Sequence, residues 1–131
     1  MTYELVMVED DPIFIFLLEK AIKGVGLQGN IRPYSNGLEA LNYFKKNYTK
    51  EQNYVVFLDL NMPVMDGFEF MKAFEDLASI SNTLVFILTS SRNQKDMDSF
   101  EGNPFITEYI SKPISEAIIK NLKEIIEDKF G

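Results

Sequence analysis

Five short apolar runs, each stopped by polar or charged residues, alternate along this chain with segments whose apolar residues recur every three to four positions. No other feature of the sequence constrains the fold as much. The runs are Tyr3 to Val8, Leu27 to Tyr34 (the weakest), Tyr54 to Leu58, Leu84 to Leu88 and Phe105 to Ile110. Apolar runs of this length between polar stops read as buried strands.

Helix signals fill the gaps. Asp11-Pro12 reads as an N-cap followed by proline at the first helical position. Ile13, Phe16, Leu17, Lys20, Ala21 and Gly24 then form a mostly apolar face, with Gly24 and Gly26 as the stop. Asn36 with Glu39, and Asp66 with Glu69, are capping-box pairs. The first leads into Leu38, Leu41, Tyr43 and Phe44, the second into Phe70, Met71, Phe74 and Leu77. Ser91 with Gln94 opens a short fourth helix that fails by Gly102-Asn103-Pro104. Ser115 opens a fifth, with Ile118, Leu122, Ile125 and Ile126 inward and Lys120, Lys123, Glu124 and Glu127 outward. Strands joined through helices pair in parallel, with helices on both faces, and right-handed crossovers leave few topologies. The expected fold is therefore α/β: a doubly wound five-stranded parallel sheet, flavodoxin-like (βα)5, of strand order 2-1-3-4-5.

At 131 residues the chain is expected to form one domain, 1–131, with no output domain attached. Size scaling gives such a domain a folded surface of about 7,100 Å², enough burial for a core without staples. Lys+Arg number 13 against 20 Asp+Glu, a formal charge of −7, which argues against a nucleic-acid partner. The chain has no cysteine and no histidine. Disulfides, thiolate zinc sites, Ser-His-Asp triads and a phosphohistidine on this chain are thereby excluded. The longest unbroken apolar run, Ile13 to Leu18, is too short to span a bilayer, and acids occupy the place of a signal peptide's apolar stretch. A cytoplasmic location without membrane insertion is expected.

In an open parallel sheet, ligands bind beyond the carboxyl ends of the strands. The residues there are Glu9, Asp10 and Asp11 after the first run, Asp59 after the third, Thr89 and Ser90 after the fourth, and Lys112-Pro113 after the fifth. Glu9, Asp10 and Asp59 would crowd three carboxylates together and raise one another's pKa values. A divalent cation relieves such repulsion, and with only oxygen donors available a hard ion, Mg²⁺, is favoured. A carboxylate, a metal, a hydroxyl and an ammonium together suit a tetrahedral dianion on Asp59, since Asp is a known covalent phosphoryl acceptor.

Four stretches carry a family resemblance: Val8-Glu9-Asp10-Asp11-Pro12, Leu58 through Gly67, Ile87-Leu88-Thr89-Ser90 and Tyr109-Ile110-Ser111-Lys112-Pro113. With these in order and at family spacing, the chain resembles a stand-alone, CheY-like receiver domain of two-component response regulators. The resemblance implies that Asp59 accepts phosphate from a partner phosphohistidine, on a sensor histidine kinase or a histidine phosphotransfer protein. It implies that Asp10 ligates Mg²⁺ directly, Glu9 mainly through water, and Asn61 through its backbone carbonyl. Thr89 and Lys112 would bind the phosphoryl oxygens. Thr89 and Tyr109 would act as the switch, remodelling the surface of the fourth helix, fifth strand and fifth helix for an unknown downstream protein. A cis Lys112–Pro113 peptide, a monomer or weak dimer, and self-catalysed phosphorylation and dephosphorylation without turnover enzymology are further expectations. Asn61 and Ser91, both small and polar, sit at positions that modulate hydrolysis in this family, so a transient signal is expected. The sequence departs from the family pattern at Glu9, where Asp is usual, and at Glu101-Gly102-Asn103-Pro104-Phe105, which replaces a small-residue turn and bears on the fourth helix.

Other readings fit less well. A haloacid-dehalogenase-type phosphohydrolase also uses an Asp nucleophile after a strand, but its usual second Asp is here Asn61, which cannot transfer a proton. An EF-hand loop beginning at Asp59 would need glycine where Val64 stands. A receiver-like binding scaffold would not need the full Asp59–Thr89–Lys112 set, and no Gly-rich nucleotide loop is present.

Overall fold

The strand runs pair as their alternation requires. In the computed structural model, which describes residues 3–90 and 94–131, the elements follow one another as β1 (Tyr3–Val8), α1 (Pro12–Gly24), β2 (Ile31–Tyr34), α2 (Gly37–Asn47), β3 (Asn53–Asp59), α3 (Gly67–Phe74), β4 (Thr83–Thr89), α4 (Gln94–Asp98), β5 (Ile106–Ser111) and α5 (Glu116–Phe130). The five strands form one parallel sheet of order β2-β1-β3-β4-β5. The accessible surface is 7079 Å², in line with size scaling.

Strand side chains point alternately to the two faces, which builds two cores. Leu5, Met7, Val55, Phe57, Phe86, Leu88 and Ile110 pack under α1 and α5. Val6, Val8, Val56, Leu58, Val85 and Ile87 pack under α2 and α3, where Phe44, Phe70 and Phe74 form an aromatic cluster. Both faces of the central strands are covered, so β3 and β4 are buried almost end to end.

The structure corrects the expected register of α1. Its buried residues are Phe14, Leu18 and Ile22, with Ile15, Ala21 and Val25 packed beside them, whereas Ile13, Phe16 and Leu17 are exposed. The six apolar residues from Ile13 to Leu18 are contiguous, so periodicity alone cannot fix which stripe faces the sheet. In α5 the buried stripe is Ile119, Leu122, Ile126 and Phe130; Ile118 and Ile125 are only half-buried at its border. The second strand is shorter than its sequence run, because Gly29 sits at φ +137° close to the Tyr3 carbonyl and strand pairing begins only after it.

The caps behave largely as the sequence predicts. Asp11, Asn36, Asp66 and Ser115 each accept a backbone N–H of their helix's first turn. Asp66 and Glu69 close a full capping box, whereas Glu39 reaches past Asn36 to the N–H and hydroxyl of Ser35. The expected cap Ser91 lies outside the described residues. Among the described residues α4 is short, and the unusual stretch after it has a structural task. Asn103 donates to Glu75 beyond α3, while its side-chain oxygen accepts from Phe105 N–H. A register shift between Val85 and Phe86 then leaves Thr107 without a partner on β4. No helix among the described residues is long and apolar enough to cross a membrane.

Candidate functional site

Each strand of the central trio delivers a carboxylate or hydroxyl to the same end of the sheet. Glu9 and Asp10 follow β1, Asp59 is the last residue of β3 and Thr89 the last of β4. One carboxylate oxygen from each of Glu9, Asp10 and Asp59 lies within 4.8 Å of the other two. Glu9 is fully buried and Asp59 nearly so, while Asp10 stands at the exposed rim.

Lys112 reaches into this cluster from the loop after β5. Its ammonium donates to Glu9 Oε1 at 3.1 Å, and lies 2.9 Å from Glu9 Oε2 and 3.9 Å from Asp59 Oδ2. Its backbone N–H donates to the Thr89 carbonyl at 2.9 Å, and the peptide that follows, Lys112–Pro113, is cis. Thr89 is buried at the end of β4. Tyr109 is half-buried on β5, its hydroxyl donating to the Met97 carbonyl of α4 at 3.3 Å.

Electrostatics set the resting state of the acids. Burial pushes the Glu9 carboxyl above its ordinary range, and the neighbouring Asp59 adds to this against the pull of Lys112. Burial likewise raises Asp59, with Asp10 adding and Lys112 opposing. One ammonium among three carboxylates leaves the pocket short of positive charge. Glu9 Oε2, although near Lys112, accepts no well-aligned hydrogen bond. A buried carboxylate oxygen left in this condition, with two further hard oxygen donors beside it, fits a divalent cation of the Mg²⁺ kind.

The loop after β3 shapes the other wall. Asn61 is exposed, and its N–H points to Asp59 Oδ1 at 3.4 Å. Gly67 N–H donates to the Leu60 carbonyl, and a Cβ at Gly67 would come within 2.6 Å of the Asp59 carbonyl, so only glycine lets α3 start this close to β3. Between them Val64 is held at φ +69°, with Met65 N–H donating to the Pro63 carbonyl at 2.8 Å across it. A left-handed, β-branched and exposed residue is unusual in any loop.

The structure thus gathers Glu9, Asp10, Asp59, Thr89 and Lys112 at one end of the sheet and places Asn61 at the rim, while Tyr109 sits apart against α4. Sequence reasoning missed the Glu9–Lys112 ion pair and the ring of Phe14, whose centroid lies 4.5 Å from the Lys112 ammonium. Neither leaves a local signal, because the partners come from opposite ends of the chain.

Over residues 5–126 the chain matches the family described as Response regulator receiver domain. It belongs to that family. Phosphorylation-dependent signalling in two-component systems is accordingly its sphere of action. Curated relatives include the probable methanogenesis regulatory protein FilR2 of Methanothrix harundinacea, 27% identical over 97% of this chain and 83% of that protein. The peroxide stress-activated histidine kinase mak3 of Schizosaccharomyces pombe is 30% identical over 94% of this chain but only 5% of its own length. The uncharacterized transcriptional regulatory protein YvcP of Bacillus subtilis matches over 98% of this chain and 51% of its length, at 26% identity. Among solved structures, a two-component response regulator from Legionella pneumophila superposes with TM-score 0.81 at 25% identity, covering 97% of this chain and 99% of that one. The receiver domain of the sensor histidine kinase PA1611 from Pseudomonas aeruginosa shares the fold at TM-score 0.74 and 18% identity, covering 98% of each chain; that protein is described with magnesium in its active-site cleft.

Proposed function

We propose that this receiver is a Mg²⁺-dependent phosphoryl acceptor whose acceptor atom is a carboxylate oxygen of Asp59. The observation that carries this reading is the meeting of Glu9, Asp10 and Asp59 within 4.8 Å, with the Lys112 ammonium 3.9 Å from Asp59. An Asp59 oxygen attacks the phosphorus of a donor phosphohistidine, the P–N bond breaks, and the imidazole leaves with a proton. Mg²⁺, held by Glu9, Asp10, Asp59 and the Asn61 carbonyl, would supply charge neutralisation for the phosphoryl oxygens. Lys112 would turn from Glu9 to those oxygens, and Thr89 would donate its hydroxyl to them. Because Lys112 N–H is bonded to the Thr89 carbonyl, both groups answer to one loop. Movement of Thr89 would then release the Tyr109–Met97 contact and alter the face made by α4, β5 and α5, where a downstream protein binds. A small side chain at Asn61 leaves the acyl phosphate open to water, so the signal is transient. The modifying chemistry is a single turnover per signal.

The donor is a sensor histidine kinase or a histidine phosphotransfer protein, since this chain has no histidine of its own. It must approach Asp59 over the rim that includes the first turn of α1. There the exposed Ile13, Phe16 and Leu17 continue outward from Asp10 and Asp11, an apolar stripe suited to a donor's helices.

The test is exposure to a small phosphodonor with Mg²⁺, read by intact mass. The expected product is a hydroxylamine-labile adduct of roughly 80 Da, the mass of one phosphoryl group. Equal uptake by Asp59→Asn would show the acceptor to be another residue.

A further inference from the structure

Lys112 is approached from two sides by different chemistries. Glu9 and Asp59 supply oxygens on one side, at 2.9 to 3.9 Å. On another, the Phe14 ring lies with its centroid 4.5 Å from the ammonium, within the roughly 6 Å reach of a cation–π contact. Phe14 is 7% exposed and belongs to the core under α1 and α5, so its ring is held by packing. The Lys112 side chain is 21% exposed, so the contact is largely withdrawn from water.

An aromatic face differs from every other neighbour the ammonium could have there. Water would solvate the charge and let it swing outward. A carboxylate would compete with the phosphoryl group. An aliphatic side chain would fill space without attracting. The ring attracts the cation while competing for none of the oxygen acceptors around it. Once Glu9 is given over to a cation, the ring keeps the freed ammonium beside Asp59 instead of in water, so the contact weighs more in the phosphoryl-bound state than in the Glu9-paired one.

From this geometry we infer that Phe14 is a positioning residue, whose ring holds the Lys112 ammonium in place for a phosphoryl group on Asp59. The inference rests on the phosphoacceptor reading above. A purely structural Phe14 would fill core volume and nothing more, and the two roles separate when ring electronics change at constant shape.

The experiment places 4-fluoro-, 3,5-difluoro- and 3,4,5-trifluorophenylalanine at position 14 of the full chain, alongside Phe14→Leu. Beryllofluoride with Mg²⁺ serves as the phosphoryl mimic, and Mg²⁺ alone as the second probe. Fluorination drains the ring's negative face and changes its size little. Beryllofluoride affinity is expected to fall stepwise along the series, by about 3- to 10-fold at its end, the range a partly desolvated cation–π contact carries. Affinity for Mg²⁺ alone should not fall, because the ring is assigned no part in holding the metal. A flat beryllofluoride series, or a parallel loss of Mg²⁺ and beryllofluoride binding, overturns the role given to Phe14. If Phe14→Leu fails to fold, the nearly isosteric fluorinated series still decides. Failure of the wild-type protein to bind beryllofluoride would remove the phosphoacceptor reading itself, and this inference with it.

Discussion

Glu9 is a buried carboxylate with one cation near it and two other acids within reach. Both Glu9 and Asp59 have folded-state pKa values raised by burial. A carboxyl raised on folding contributes stability that is fully present below its unfolded pKa and is lost as pH rises through the folded value. Metal-free protein should therefore lose stability relative to Asp59→Asn as pH climbs from about 4 toward neutrality, the span above the ordinary carboxylate range. Thermal melts of both proteins across that span check this, and a constant difference between them at every pH would contradict it. Gly67 makes a second prediction at this scale. A methyl there would meet the Asp59 carbonyl and the Leu60 Cα at 2.6 and 2.8 Å, both backbone atoms that cannot turn aside. Gly67→Ala should destabilise by about 1–3 kcal/mol, the usual cost of overpacking. Denaturant midpoints would show it, and phosphoryl uptake should slow because the backbone of the proposed acceptor is displaced.

At the scale of elements, α1 separates what a sequence shows from what it conceals. The ends of the strands were legible because polarity changes abruptly there: Val8 to Glu9, Leu58 to Asp59, Leu88 to Thr89. Those same positions carry the site, so most of it could be read without coordinates. The phase of α1 could not, because six apolar residues in a row satisfy any choice of buried stripe. The choice is made by packing against β1, β3 and α5, which bury Phe14, Leu18 and Ile22. Three large apolar side chains are left outside as a result. Scattered singly they would need no explanation, but Ile13, Phe16 and Leu17 are clustered on the helix that borders Asp10. Phe16→Ser and Leu17→Ser should shift stability by no more than about 0.5 kcal/mol, as exposed positions do. Phosphotransfer from a histidine-bearing protein donor should slow, while uptake from a small phosphodonor stays at the wild-type rate. Equal slowing with both donors would point to damage at Asp59 rather than to a lost docking surface. Val64 belongs to the same rim. Its left-handed backbone was invisible in the sequence, where valine favours extended structure.

For the whole molecule, the formal charge of −7 has an uneven distribution with mechanical consequences. Three acids converge where the sheet ends, and among the described residues the cation placed against two of them is Lys112. On the proposed reading, this lysine occupies the place beside Glu9 that the divalent ion would take. It holds together the buried carboxylate that follows β1 and the one that ends β3 while anchored beyond β5, and so ties the central strands to the sheet's edge. Removing one partner of a buried pair leaves the other charge uncompensated. Lys112→Ala should therefore destabilise the metal-free fold by about 3 kcal/mol, the low end for a buried pair because the lysine retains some exposure. Ligand linkage makes the second half of the prediction. Bound as proposed, Mg²⁺ would stabilise the folded state by about 2.7 kcal/mol at a hundredfold excess over its dissociation constant. In the wild type it would have to displace Lys112 from Glu9, whereas in Lys112→Ala it would meet no competitor. The rise in melting temperature on adding Mg²⁺ should thus be larger in Lys112→Ala than in the wild type, although the variant starts lower and holds a phosphoryl group poorly. Asp59→Asn should show the smallest rise of the three. If Lys112→Ala instead lost its response to Mg²⁺, the lysine would be helping to build the metal site rather than occupying it in the metal's absence.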